Sequence, residues 1–126
     1  MTALPARLAL VSEDAVAAPV RCAAAMGVAE ACRRLSLPPP RMCWFAASTG
    51  VLGFAEGGAI FLRASQSPRS AFETAAHEAR HLLQQRCGHS SRPTTAGERR
   101  FLERDAEAFA MRLRRSGFYD SIQEEG

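Results

Sequence analysis

Lysine is absent from this chain: all 16 basic residues are arginine, and the formal net charge is +3. The arginines are scattered, and the one dense group falls at the end of a predicted helix, where positive charge complements the helix dipole. That group is Arg112, Arg114 and Arg115. Because a nucleic-acid-binding surface usually gathers its basic residues on one face, we do not expect a nucleic-acid partner. The missing lysine indicates a GC-rich coding sequence rather than a binding specialisation.

The chain also lacks a long apolar run and paired cysteines. No stretch is long and apolar enough to cross a membrane. Two acidic residues follow the short apolar run at residues 8–11 closely, so no signal peptide is expected. The four cysteines form no CxxC pair, which favours free thiols in a reducing compartment. These absences predict a cytoplasmic protein without membrane association.

Length and composition indicate one domain over residues 1–126. The chain has 126 residues, 47% of them hydrophobic, which is enough for one modest core. No internal repeat and no linker divides it. Residues 1–15 are poorly specified, and residues 118–126 are predicted to form a tail.

The expected fold class is α+β. An alanine-rich pattern predicts a helix over residues 17–35, which three prolines end. Three short extended runs follow, at residues 42–47, 51–55 and 59–63. Gly57 and Gly58 join the last two runs as a hairpin. We therefore expect an N-terminal helix and a short three-stranded, mainly antiparallel sheet, followed by two more helices.

The first of these two helices starts at Ser67 and Pro68 and carries an HExxH motif, His77-Glu78-Ala79-Arg80-His81. Two histidines at positions i and i+4 lie on the same helix face, so both imidazoles can reach one zinc ion. Glu78 then lies beside the metal, where it can act as the base that deprotonates water. The histidine face is otherwise polar, which argues against histidines buried in an apolar core. A pair of solvent-facing histidines on an ordinary amphipathic helix is the competing interpretation.

A catalytic zinc site needs a third protein ligand and leaves one position to water. Cys87 and His89, at and beyond the predicted end of the helix, are weak candidates. Gln84 stands where a glycine would be needed to turn the chain sharply and return such a ligand. The third ligand is therefore expected from elsewhere.

The better candidate is Glu103, on a second helix predicted from about Gly97 to Gly117. Glu103 borders the apolar stripe of that helix, and Glu107 follows one turn later, so both can face the first helix. The competing interpretation is that Glu103 pairs with Arg99 or Arg100 on a solvated face.

The HExxH motif followed by an ExxA[D/E]xFA pattern at residues 103–110 resembles the ImmA/IrrE-type metallopeptidases, a gluzincin-like family. The similarity covers residues from about 41 to 115. It implies a small zincin-like fold and a zinc ion, with a general base and three ligands. The base would be Glu78, and the ligands would be His77, His81 and Glu103.

Two positions depart from the family pattern. Glu107 falls where the family tends to have an aspartate that supports a ligand histidine, and it is one methylene longer. Arg80 replaces a residue that is usually small. The resemblance also implies limited proteolysis of a protein partner, often a transcriptional repressor.

The expected function is that of a zinc-dependent metalloendopeptidase that hydrolyses a peptide bond in a protein partner. An extended substrate would add as a strand to the run just before the zinc helix. That run is Ala59, Ile60, Phe61 and Leu62. Tyr119 and His89 are candidates for stabilising the oxyanion, but plain surface or loop positions explain each better. The alternatives are a non-catalytic protein of this fold with structural zinc, and an interaction protein without metal.

Overall fold

The computed structural model describes residues 10–40, 42–47 and 50–125. Over these residues the chain forms four α-helices, three β-strands and a short 3₁₀ turn. In chain order they are the 3₁₀ turn Glu13–Ala15, α1 (Ala18–Leu35), β1 (Met42–Ala46), β2 (Gly53–Glu56), β3 (Ala59–Arg63), α2 (Pro68–Arg86), α3 (Ala96–Arg115) and α4 (Phe118–Glu125). The predicted α+β class is confirmed. None of the helices in these ranges combines the length and apolar character of a membrane span.

The sheet is mixed, with strand order β1-β3-β2. β2 and β3 are antiparallel, joined by a two-residue turn in which Gly57 and Gly58 both have positive φ, 61° and 80°. β1 lies on the other side of β3 and runs parallel to it. The expectation of a mainly antiparallel sheet was wrong, because only the tight glycine turn forces an antiparallel pair. The longer connection from β1 to β2 leaves β1 to pair in parallel with β3.

Helix α2 packs closely against α1. Gly27 of α1 is buried, and a Cβ atom at this position would lie 2.5 Å from the backbone oxygen of Phe72 and 3.1 Å from the Cβ of Ala75. The facing side of α2 is built largely of alanine, which lets the two backbones approach. This close packing presents the opposite face of α2 to α3 and to the solvent.

Residues 118–125 form a helix rather than the predicted tail; residue 126 lies outside the described residues. Phe118 stacks on Phe72 with ring centroids 6.0 Å apart, and the Tyr119 ring packs against Phe72 at a tilt, with centroids 5.0 Å apart. Arg69 of α2 pairs with Asp120. The tail prediction failed because aromatic burial against α2, rather than local helix propensity, holds this segment in place.

Candidate metal centre

Helix α2 places the two histidines. It begins at Pro68, where the Ser67 hydroxyl accepts a hydrogen bond from the Ser70 N–H at 3.1 Å. The helix then continues without a break past His77 and His81, whose ring centroids lie 4.8 Å apart. The two Nε2 atoms are 3.1 Å from each other. The i, i+4 spacing therefore brings both nitrogens to one point on the helix face.

Helix α3 brings Glu103 to the same point. Thr95 caps the helix by accepting from the Glu98 N–H at 3.1 Å, and a buried apolar stripe docks the helix onto α2. One Glu103 oxygen lies 3.0 Å from the Nε2 of His77, and the other lies 3.0 Å from the Nε2 of His81. Among the ion pairs of the described residues, none joins Glu103 to Arg99 or Arg100.

The donor set has the chemistry and spacing of a zinc site. Ligand atoms placed tetrahedrally at 2.0–2.1 Å from zinc lie about 3.3–3.4 Å from one another. The separations here are 3.0–3.1 Å, and one donor atom from each of His77, His81 and Glu103 lies within 4.8 Å of the other two. Two imidazoles and one glutamate are also a ligand set that catalytic zinc uses. These residues therefore fit zinc with adjustments of a few tenths of an ångström.

Each histidine has an acceptor beside its outer ring nitrogen. The Nδ1 of His77 lies 3.4 Å from Glu107 Oε2, and the Nδ1 of His81 lies 2.7 Å from Gln84 Oε1. Histidines that bind metals usually donate their second N–H to such an acceptor, which fixes the ring and leaves the other nitrogen free to coordinate. Both rings are turned so that Nε2 faces Glu103.

Glu78 is buried beside the histidines, with 5% of its surface exposed, and it lines the same cleft. Burial, together with the charge of Glu103, raises the pKa of Glu78 to about 8. A cation bound nearby would favour the ionised form and lower this pKa again. With a cation bound, the ionised Glu78 carboxylate could accept a proton near neutral pH.

The cleft above the histidines has a volume of about 1040 Å³, and β2 and α3 form two of its walls. The predicted substrate strand was wrong. Residues 59–62 belong to β3, the middle strand, whose backbone is paired on both sides, and Ile60 and Leu62 are fully buried. An added strand needs an unpaired edge. Within the described residues, the edge on the cleft side is β2.

The hydrogen-bond pattern shows which groups this edge offers. The Arg63 N–H donates to the Leu52 oxygen at 2.8 Å, so residues 52, 54 and 56 direct their backbone groups at β3. Gly53 and Ala55 therefore point their N–H and C=O groups away from the sheet. The Gln85 amide donates to the Ala55 oxygen at 3.0 Å. The turn residues predicted the hairpin, but not which of its strands would be the edge.

Among known proteins, no family model, curated protein or solved structure matches this chain. The resemblance to the ImmA/IrrE-type metallopeptidases therefore depends on its motifs alone.

The weaker candidates from the sequence lie outside the centre. Cys87 ends α2 and is exposed, and His89 is exposed beside Phe101, with ring centroids 6.5 Å apart. Tyr119 is buried against Phe72, with the Arg69 guanidinium 5.0 Å above its ring. Among the described residues, the group that could hold a metal is His77, His81 and Glu103.

Behind His81 lies a group of polar contacts that the sequence analysis did not predict. Arg80 donates to Asp105 at 2.7 Å and 3.0 Å, and Gln84 donates to the same carboxylate at 2.9 Å. The hydrogen bond from Arg80, followed by the one from Gln84, holds the pKa of Asp105 below its usual value. The i, i+3 spacing of His81 and Gln84 was a usable signal for their contact. No short-range sequence pattern indicated that Asp105, on α3, would be the partner of Arg80 and Gln84.

Proposed function

We propose that this chain is a zinc-dependent metalloendopeptidase with a zincin-like fold, related to the ImmA/IrrE type, that cuts a protein partner by limited proteolysis. The observation that carries the proposal is the convergence of two Nε2 atoms and one carboxylate from separate helices at 3.0–3.1 Å. Chance pairing of surface groups does not explain why both outer nitrogens also have acceptors.

His77, His81 and Glu103 would hold the zinc ion. When bound, zinc polarises the scissile carbonyl and lowers the pKa of a water molecule to about 7. Glu78 takes the proton of the attacking water and passes it to the leaving amine. Its burial supports this role, since a carboxyl group shielded from bulk water keeps the proton until it is transferred.

An extended peptide is the substrate that the cleft suits. The edge of β2 offers the N–H and C=O of Gly53 and the N–H of Ala55, which can pair with a substrate backbone. The carbonyl of Ala55 is taken by Gln85, so the pairing is short. Because few backbone hydrogen bonds can form, the selectivity of the site would depend on contacts with the side chains of the substrate. Such selectivity agrees with the cleavage of only a few proteins.

A purely structural zinc site is the competing function. Such sites close all four positions with protein ligands. Within the described residues, the two nearby groups that could close this one, Cys87 and His89, are exposed and outside the candidate metal group. A donor group of three residues supports catalysis over a structural role.

The proposal is tested by metal analysis and by cleavage of a fluorogenic peptide library, comparing the native chain with Glu78→Gln. The substitution keeps the size of the side chain and removes the base, so we expect stoichiometric zinc in both proteins and cleavage only by the native chain. Equal cleavage by both would show that Glu78 is not the base. A native chain that neither contains nor takes up zinc would refute the proposal.

A further inference from the structure

Gln84 is a buried amide whose polar atoms are all engaged. It has 7% of its surface exposed and lies one turn after His81 on α2. Its oxygen lies 2.7 Å from the Nδ1 of His81. Its nitrogen donates to the backbone oxygen of Leu102 at 2.9 Å and to Asp105 at 2.9 Å. The side chain therefore touches one proposed metal ligand and the residue that precedes another, Glu103.

The contacts on α3 decide which way the amide faces. The Leu102 carbonyl can only accept, and the Asp105 carboxylate accepts from Arg80 through two hydrogen bonds. Both need a donor from Gln84, so its NH₂ group must point at α3. Its oxygen must then point at His81.

This orientation selects one form of the His81 ring. An amide oxygen cannot donate, so the Nδ1 of His81 has to carry the hydrogen. With a cation bound, the Nε2 atom would present its lone pair to it, as a metal ligand must. Without a cation, the Glu103 carboxylate, 3.0 Å from Nε2, competes for a hydrogen at that nitrogen. The groups that orient the amide, the Leu102 carbonyl and the Asp105 carboxylate, lie on α3 and reach His81 through Gln84.

We propose that Gln84 is a positioning residue: held by Asp105 and Arg80, it fixes His81 in the Nδ1–H form and ties the backbone next to Glu103 to α2. It thereby preforms the site for a divalent cation. The identity of the cation depends on the proposed function, but the state of the His81 ring does not. The effect is exerted through His81 and Glu103, without contact between Gln84 and the substrate.

The test compares Gln84→Met, which keeps the length of the side chain and removes its hydrogen bonds, with Gln85→Met. Gln85 is the adjacent glutamine and donates to Ala55 instead. The first measurement is ¹⁵N NMR of the imidazoles at about pH 8, in chelator-treated protein that also carries Glu103→Ala to remove the competing acceptor beside Nε2. The chain has three histidines, and variants of the other two assign the signals of His81. The second measurement is zinc affinity by competition with a chromogenic chelator.

In the Glu103→Ala background, we expect the Nδ1–H form of His81 when Gln84 is present, with or without Gln85→Met. Gln84→Met in the same background should show a mixture of both forms. Zinc affinity should fall about 10–100-fold in Gln84→Met and change less than about threefold in Gln85→Met. If Gln84→Met keeps both the ring form and the affinity, the proposal is wrong.

Two further outcomes are distinguishable. If the native chain binds no zinc, the proposed function fails, while the ring form in the metal-free protein still decides the role of Gln84. If Gln84→Met does not fold, Gln84→Ala takes its place, since it removes the same hydrogen bonds with a smaller side chain. An unchanged His81 ring in a folded Gln84→Ala protein would overturn the proposal.

Discussion

The two faces of α2 are built on different principles. The face toward α1 and the sheet, here the packing face, is apolar and includes Phe72, Ala75, Ala76, Ala79 and Leu82, all at most 5% exposed. The face toward α3, here the metal face, includes His77, His81 and Gln84, joined to α3 by directed polar contacts. The packing face stabilises through removal of apolar surface from water, which requires only shape and size. The metal face depends on the position of individual atoms, so each of its members has a separate chemical role.

The largest expected effect breaks the packing face. Phe72→Ala should lower the free energy of unfolding by about 3–5 kcal/mol, because it leaves a cavity where α1, α2 and α4 meet. Urea denaturation followed by circular dichroism measures this loss. Phe101→Ala is the matched control, since Phe101 is 62% exposed; it should change stability by less than about 0.5 kcal/mol. Similar losses in both variants would contradict the assigned packing.

The second prediction breaks the metal face alone. His77→Ala should weaken zinc binding about 10²–10³-fold, roughly the share of one ligand in the binding free energy of a structural zinc site. Stability of the metal-free protein should change by less than about 1 kcal/mol, because the ring is at the cleft surface. His89→Ala, at an exposed loop position, serves as control and should leave zinc affinity unchanged. Equal affinity of the native chain and His77→Ala would rule out this ligand.

The third prediction tests how closely the packing face approaches α1. Gly27→Ala would place a Cβ atom 2.5 Å from the Phe72 backbone oxygen, so it should cost about 1–3 kcal/mol despite the better helix propensity of alanine. Gly97→Ala, near the start of α3, meets nothing within 4 Å and should be neutral or stabilise by up to about 1 kcal/mol. Thermal unfolding of both variants measures the difference. A neutral Gly27→Ala would mean that the helices can separate without loss.

The smallest effect contrasts two carboxylates, Glu30 of α1 and Glu103 of the metal face. Glu30 is buried and paired within its own helix with Arg33 and Arg34 at 2.7 Å. The hydrogen bond from Arg33 is the main cause that lowers the pKa of Glu30 from 4.5 to about 2. Its contribution to stability is therefore present above pH 4.5 and is lost as the pH falls toward 2.

Glu30→Gln should accordingly lower the free energy of unfolding by about 1–2 kcal/mol at neutral pH. The difference from the native chain should shrink as the pH drops below 4.5. Denaturation series at several pH values measure it. Glu103→Gln should instead weaken zinc binding, which competition with a chelator measures. A constant difference at all pH values for Glu30→Gln would exclude the assigned ion pairs.

Local patterns in the sequence were enough to predict several features. The Gly57-Gly58 turn, the cap at Ser67 and the alanine-rich helix all depend on hydrogen bonds between residues close along the chain. The spacing of His77 and His81 is of the same kind, because one helical turn decides it. For these features, neighbouring residues already contain the needed information.

Long-range features were missed or misjudged for the opposite reason. The parallel pairing of β1, the exposure of the β2 edge and the helix at Phe118–Glu125 depend on which surfaces meet after the chain has folded. No pattern within a few residues specifies these meetings. The substrate strand was wrongly placed at residues 59–62 because adjacency to α2 in sequence does not show which strand lies at the edge.

The sequence by itself determined that two imidazoles share one helix face with a glutamate beside them, because a helix repeats every 3.6 residues whatever surrounds it. Only the tertiary structure decided that Glu103 reaches both rings and that Gln84 joins His81 to Asp105. The contacts to Glu103 and Asp105 join residues 21 to 26 positions apart on two helices. They exist because the apolar stripe of α3 docks against α2 in one register, and burial of that stripe supplies the free energy that holds the polar groups together.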